Sequence, residues 1–415
     1  MKKSLIITVL AFVLGVIILA GGFILLTDNN ISNKLHSSFG DSVIQGNPSG
    51  NATTTTTTTK PSGEEKPTYE PMNFFNEDVT KYITLGEYKN LDIPVAKLEA
   101  SDEEVKFQID LILFQNKEFV KAYEGTVNEK VFFSFDYTGY LENEDGTKGE
   151  AFSGGSSKGQ HAYIDGDDLV TVADDGTLGG FINGFAQGIS GKNVGETFDI
   201  KVTFPENYNP TMAGKKAIFE IKLNYIANPS FTDGWVNAFT DGKYKTTTEY
   251  EQYVRDSINA TLKEENEQVI WQTITNNATV IEIPQQQFDY QYNAFVEQIE
   301  SYRSMYMMYG QNYTFEEMLV MFNFSSIDDL KQYTRDYIKA DLVYYAIMQA
   351  EGIEASDEEY RILLDELIEV SEMTEEQILE KYGEEYIRQR IMLDEVTELV
   401  LTSNKLVQKT TENQQ

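Results

Sequence analysis

A chain of 415 residues with 41% apolar side chains is long enough for two or three domains. Its net charge of −34 argues against nucleic acid or an anionic lipid surface as a partner, since a polyanion repels both. With no cysteine, disulfides and thiolate chemistry are excluded, and with only His36 and His161 as histidines a histidine-held metal or a Ser-His-Asp triad is disfavoured, so no metal and no cofactor is expected.

Lys2 and Lys3 precede an apolar run at 5–26, which at ~1.5 Å per residue is long enough for a ~30 Å hydrocarbon layer. Lysines before the run and none just after it predict residues 1–26 as a transmembrane anchor, with the bulk of the chain outside the cytoplasmic membrane. A cleaved signal peptide is the alternative. Residues 27–69, with an unbroken run of threonines at 53–59, read as a disordered linker with too little apolar surface to fold. Residues 70–125 open the folded part. There Ser101-Asp102-Glu103-Glu104 has the form of a helix capping box, followed by Val105, Ile109 and Ile112 at helical spacing. A near copy, Ser356-Asp357-Glu358-Glu359, returns late in the chain, and the two are expected to be paired elements of one helical body.

Residues 126–228 change period. Phe198, Ile200, Val202 and Phe204 alternate along one predicted strand; Ala217, Phe219, Ile221, Leu223 and Tyr225 alternate along a second; residues 131–137 form a third. Between them, Gly180 to Ile189 carries Phe181, Ile182 and Phe185 on a short segment bracketed by glycines, the best candidate to cover the apolar face of the sheet. Residues 229–415 are helical. Tyr250, Val254 and Ile258 step by four, and Phe288, Tyr292, Phe295, Ile299, Tyr302 and Tyr309 follow helical spacing. The stretch 301–313 concentrates methionine and tyrosine, which suits either a helix core or a surface accepting many unrelated apolar segments.

Six blocks in order resemble the peptidyl-prolyl isomerase domain of trigger factor, a member of the FKBP family. They are Asp136-Tyr137-Thr138-Gly139, Glu150-Ala151-Phe152-Ser153-Gly154-Gly155, Phe181-Ile182-Asn183-Gly184-Phe185, Gly191-Lys192-Asn193-Val194-Gly195-Glu196, Val202 to Tyr208, and Ala213 to Phe219. The 229–415 stretch resembles the trigger factor C-terminal body more loosely. The resemblance implies an α+β fold: an FKBP-like antiparallel sheet wrapped on a short helix, inserted in a trigger factor-like helical chaperone body. The basic Phe-Arg-Lys signature of trigger factor's ribosome-docking domain has no counterpart, so ribosome binding is not expected.

Rotation about an X-Pro bond crosses a barrier of ~18–20 kcal/mol, because conjugation stiffens the C–N bond. Lowering it takes a dry apolar cradle for the proline ring, with donors placed for the twisted carbonyl. By resemblance, Tyr137, Phe152, Phe185, the Ile182 N–H and the Tyr208 hydroxyl would carry catalysis, with Phe185 as the floor. Phe181, Phe204, Phe219 and Ser153 would contact substrate. Three departures from the family stand out: Ser153 replaces a frequent carboxylate, Asn183 replaces a usual proline, and 167–180 is longer than usual and would cover or reshape the rim. His161 reads as structural or rim. Asp165, Asp167, Asp168, Asp174 and Asp175 read as a solvated acidic loop, since their spacing fails the EF-hand pattern. The expected function is isomerase and chaperone for unfolded or nascent exported polypeptides at the outer membrane face. The alternative is a catalytically weak peptide-binding holdase or surface scaffold.

Overall fold

The computed structural model describes residues 69–409 apart from 207, 209, 210 and 372. The expected transmembrane anchor at 1–26, and all of the expected linker except Tyr69, lie outside these residues. The chain forms two compact units, residues 97–264 and residues 1–96 with 265–415. The expected 70–125 segment is therefore divided between them.

Two short strands, β1 (Ile83–Thr84) and β2 (Asp92–Val95), precede α1 (Asp102–Gln115). The Ser101 hydroxyl accepts from the Glu104 N–H and the Glu104 carboxylate accepts from the Ser101 N–H, so both ends of the capping box are made. The strands β3 (Phe119–Ala122), β4 (Phe133–Glu142), β5 (Lys148–Asp165), β6 (Asp168–Val172) and β7 (Leu178–Gly180) lead to α2 (Phe185–Ile189), followed by β8 (Thr197–Thr203) and β9 (Lys216–Pro229). They build one sheet in the order β3-β9-β4-β5-β6-β7, with β8 also on β9, and every pair is antiparallel. Phe133, Phe135, Ile200, Val202, Phe219, Ile221 and Leu223 cover one face and bury Phe185, Ala186 and Ile189 of α2 against it. The alternation of the sequence thus found its face, with one exception. Beyond Leu223 the pairing of β9 with β4 shifts by a residue at Asn224. That bulge flips the pleat. Ile226 takes the α2 side, and Tyr225 turns to the opposite face with Phe132, Tyr163 and Ala227.

That opposite face is covered by α1, through Phe107, Leu111 and Phe114. The long 167–180 stretch folds as the β6–β7 hairpin, whose Val170, Val172 and Leu178 join the α1 side, while Leu169 packs in the ring-side core and its carbonyl accepts the Phe181 N–H at 3.2 Å. Gln115 donates to the Gly176 carbonyl at 3.0 Å and Lys117 pairs with Asp174 at 2.8 Å, which fastens the hairpin to the end of α1.

The helices after the sheet are α3 (Asp233–Phe239), α4 (Thr247–Asn277), α5 (Gln285–Met308), α6 (Phe315–Met321), α7 (Ile327–Glu351), α8 (Asp357–Ser371), α9 (Glu375–Tyr382) and α10 (Glu384–Ser403), with β10 (Thr279–Val280) after α4 and β11 (Lys405–Gln408) last. In the unit containing 265–415, α5, α6 and α7 share a core at Phe295, Ile299, Met318, Leu319 and Leu330. A second core there joins Ile338, Leu342 and Ile347 of α7 to Val396 and Val400 of α10 and to Phe74, Val79, Ile83 and Ile93 of the 70–96 segment. β1 pairs antiparallel with β10 and β11 pairs parallel with β2, so the 70–96 segment is stitched into this helical body.

The twin Ser-Asp-Glu-Glu caps fall in different compact units, and each opens a three-helix cluster with the same arginine contact at its cap. α1 packs on α3 and α4 through Val105, Ile109, Val236, Val254 and Ile258. α8 packs on α9 and α10 through Tyr360, Leu364, Ile378, Ile387 and Ile391. In the first unit Arg255 donates to the Ala100 carbonyl at 3.1 Å and to Asp102 at 2.6 Å. In the second, Arg388 donates to the Ala355 carbonyl at 3.1 Å and to Asp357 at 2.7 Å.

Candidate active site

The seven rings singled out from the sequence come together on the α2 side of the sheet. Phe219 of β9 is the hub, with ring centroids 4.8 Å from Phe185, 5.7 Å from Phe152, 6.1 Å from Tyr137 and 6.4 Å from Phe204. Phe181 lies 4.5 Å from Phe185 and meets Tyr137 edge-on at 5.1 Å. Phe204 contacts Phe152 at 5.9 Å and Tyr208 at 4.9 Å. Edge-to-face and tilted contacts of this kind are the arrangements that aromatic rings favour over a face-to-face sandwich.

Exposure grades the cluster. Phe185, Phe204 and Phe219 are buried, Tyr137, Phe152, Phe181 and Ile182 are half-buried, and Tyr208 is 43% exposed. Phe185 is thus the deepest ring of the cluster and Tyr208 the most exposed. Burial, with the neighbouring Tyr208 phenol second, pushes the Tyr137 hydroxyl above its ordinary value, so it stays a neutral donor at physiological pH. The Ile182 N–H makes no hydrogen bond among the described residues. Ser153 is exposed on β5, beside Phe152.

Local geometry explains why these rings fit. A Cβ on Gly139 would stand 2.6 Å from both Phe152 and Phe219, and one on Gly155 would stand 2.5 Å from Phe152. The Phe152 ring therefore lies in a slot that only glycines leave open. Gly184, with φ of 104°, makes the left-handed turn into α2, and the exposed Asn183 before it needs no proline to do so. Phe135, which sequence reasoning passed over, adds a ring 5.8 Å from both Tyr137 and Phe181. Its signal was available, since alternation puts Phe133, Phe135 and Tyr137 on one face.

His161 lies on the other face of the sheet. Its Nε2 shares a 2.8 Å hydrogen bond with the Tyr225 hydroxyl, and Phe114 and Phe119 meet its ring edge-on. The carboxylates of the acidic stretch point to separate partners: Asp165 to Lys130, Asp167 to Gln187 at 2.7 Å, Asp174 to Lys117 and Asp175 to the Thr177 N–H at 3.0 Å. In the helical body, a cleft of ≈ 470 Å³ between the 75–76 turn and α10 is lined by Phe75, Glu384, Arg388 and Met392. Its charged groups are already committed, Arg388 to Glu384 and Asp357, and Glu385 to Asn73 and Gln389.

Two family models match the chain: FKBP-type peptidyl-prolyl cis-trans isomerase over residues 123–224, and bacterial trigger factor protein (TF) C-terminus over residues 246–402. The trigger factor of Staphylococcus epidermidis is 28% identical over 347 residues, covering 80% of this chain and 73% of that protein. Those of Caldicellulosiruptor bescii and Desulforamulus reducens are each 27% identical, covering 78% and 81% of this chain and 71% and 75% of theirs. A solved trigger factor chaperone structure covers 77% of this chain and 72% of its own at 14% identity, with a TM-score of 0.29, too low to bear on the fold.

The comparisons overturn one expectation. The relatives are cytoplasmic chaperones, and among the described residues no helix is long and apolar enough to cross a membrane. The single-pass, extracytoplasmic placement does not stand, and the exported clients it implied lose their basis. The chemistry is unaffected: residues 123–224 match the FKBP-type peptidyl-prolyl cis-trans isomerase model, and the chain is a peptidyl-prolyl cis-trans isomerase.

Proposed function

We propose that the ring cluster is the isomerase pocket, with unfolded polypeptides carrying X-Pro bonds as its substrates. The proline ring sits over Phe185 and Phe219, flanked by Tyr137, Phe152 and Phe204, with Phe181 and Ser153 at the edge. The Ile182 N–H and the Tyr208 hydroxyl donate to the carbonyl as it twists out of conjugation. Such donors act best where water is excluded and where they fit the twisted rather than the planar amide. The observation that carries this reading is the gradient from a buried floor at Phe185 to an exposed lip at Tyr208.

The features that favoured a holdase without turnover are structurally mild. Asn183 and Ser153 are exposed, and the long insertion is an ordered hairpin tied to α1 at its tip, with its Leu169 carbonyl accepting the Phe181 N–H at 3.2 Å. The holding role falls instead to the end of α5 and the adjoining α6, where Met307, Met308, Tyr309, Val320 and Met321 are exposed, Met308 to 82%. Flexible thioethers beside tyrosines suit contact with varied apolar segments.

A protease-coupled cis/trans assay on Xaa-Phe-Pro or Xaa-Leu-Pro peptides tests the pocket. The wild-type chain accelerates isomerisation. Phe185→Ala abolishes this, but it also hollows the core, so Phe181→Ala at the half-buried rim is the variant that keeps the fold. It is expected to lose ~10-fold or more in kcat/KM, and unchanged turnover would refute the pocket.

A further inference from the structure

Just before Tyr137, the strand that carries it shifts register against both of its neighbours. Between β4 and β5 the partners are Phe135↔Gln160 and then Tyr137↔Ser157, so Lys158 and Gly159 together face Asp136 alone. Between β4 and β9 they are Ser134↔Tyr225 and then Phe135↔Leu223, so Asn224 is the extra residue. One atom serves both irregularities. Asp136 Oδ1 accepts the Gly159 N–H at 2.8 Å and the Asn224 side-chain amide at 2.8 Å. Gly159 reaches this position with φ of 66°. Partial burial works against the charge. The bonds from Asn224 and Gly159, with Lys222 and Lys158 nearby, still hold the Asp136 carboxyl below its ordinary range.

We propose that Asp136 is a positioning residue of the isomerase: its carboxylate pins the two bulges so that Tyr137 faces the pocket. The proposal rests on the pocket reading above. Side chains on a strand alternate faces, so a one-residue slip on either side of β4 would move Tyr137 relative to Phe181 and Phe219. Bulges are the devices by which strands re-aim a side chain, and their extra residue is left out of the ladder. Here a single oxygen on β4 supplies an acceptor to the extra residue of each neighbouring strand. Without it the Gly159 N–H and the Asn224 amide lose their acceptor, and either register can relax towards regular pairing. Misplacing a group by ~1 Å is enough to cost about 10²-fold in rate.

The pin requires an acceptor at Oδ1 rather than a charge, and that makes it testable in the full chain. Asp136→Ala is expected to lose ~10–100-fold in kcat/KM on an Xaa-Phe-Pro peptide, mostly in kcat. Asn224→Ala loses less, and Asp136→Asn, which keeps the acceptor, stays within about threefold of wild type. The Tyr137 hydroxyl, followed by its ultraviolet or NMR titration, moves back towards an ordinary phenol in Asp136→Ala and does not in Asp136→Asn. A purely structural aspartate would not give this pairing of lost turnover, altered phenol titration and rescue by asparagine. Unchanged turnover in Asp136→Ala overturns the proposal, as does damage in Asp136→Asn equal to that in Asp136→Ala. Should Asp136→Ala fail to fold, Asn224→Ala decides: unchanged turnover and Tyr137 titration there overturn it. Phe181→Ala runs alongside, and normal turnover in that variant defeats the pocket reading itself, whatever the aspartate variants do.

Discussion

Gly139 is the residue at which one added carbon bears most directly on the pocket. Its missing Cβ leaves room for the Phe152 and Phe219 rings, each of which would otherwise be met at 2.6 Å. Phe219 is 5% exposed and has nowhere to retreat. Gly139→Ala is therefore expected to lower kcat/KM by ~10-fold or more with the domain still folded, since overpacking of this size typically costs ~1–3 kcal/mol; far-ultraviolet circular dichroism and the peptide assay together check it. His161 gives a second prediction. Burial, reinforced by Lys117 and Lys121 and opposed by Asp174, holds its imidazole below the ordinary 6.5. The folded unit then binds fewer protons than the unfolded chain. Its stability is fully present above pH 6.5 and is lost as the pH falls from there towards the folded value. His161→Gln, which can keep a partner for the Tyr225 hydroxyl, should show a smaller drop in unfolding temperature between pH 7.5 and pH 5 than wild type. Equal drops would count against a strained histidine. At this scale much of the site was legible in the sequence, because Tyr137, Phe152, Phe185 and Phe219 each stand at a fixed place in a short motif. The turn of Tyr225 to the far face was not. The run Phe219, Ile221, Leu223, Tyr225 alternates without a break, and nothing in Leu223-Asn224-Tyr225 marks Asn224 as an extra residue.

Among the elements, the two capped helices offer a matched pair of experiments. Arg255 and Arg388 each bind a carbonyl and a carboxylate at the start of a partner helix, and Arg388 also lies over the Tyr360 ring at 4.6 Å. A guanidinium makes these bonds as a planar fork, and an ammonium cannot. Arg388→Lys is expected to lower the unfolding temperature of the helical body by several degrees, nearly as much as Arg388→Ala; full rescue by lysine would mean that charge alone suffices. The caps were readable as sequence because serine and glutamate three apart satisfy each other's backbone. Their arginine partners were not, since Arg255 lies beyond the whole sheet in the chain and Arg388 beyond an intervening helix. The β6–β7 hairpin was misjudged for a related reason. Its length was visible, but its direction is set by Gln115 at the end of α1 and Lys117 in the turn just after it.

For the whole molecule, turnover and holding are assigned to different surfaces. Replacing Met308 and Tyr309 by aspartate should weaken suppression of aggregation of an unfolded protein and leave isomerisation of a short peptide untouched. A parallel loss of both would place the two activities on one surface. The matched three-helix units differ mainly in what joins their first two helices: residues 372–374 in one, residues 116–232 in the other. The sheet explains how so long a connection is accommodated. Phe119 pairs with Pro229, and the Ser230 N–H donates to the Glu118 carbonyl at 3.0 Å, so the two ends stand on neighbouring strands. A cassette whose doorway is one strand spacing wide can be seated in a tight turn without prying the helices apart. By the same geometry it can be lifted out. α8 suggests what the vacated frame would need, for where α1 presents Phe107, Leu111 and Phe114 to the sheet, α8 carries Ile362, Glu366 and Glu369 at the corresponding positions after its cap.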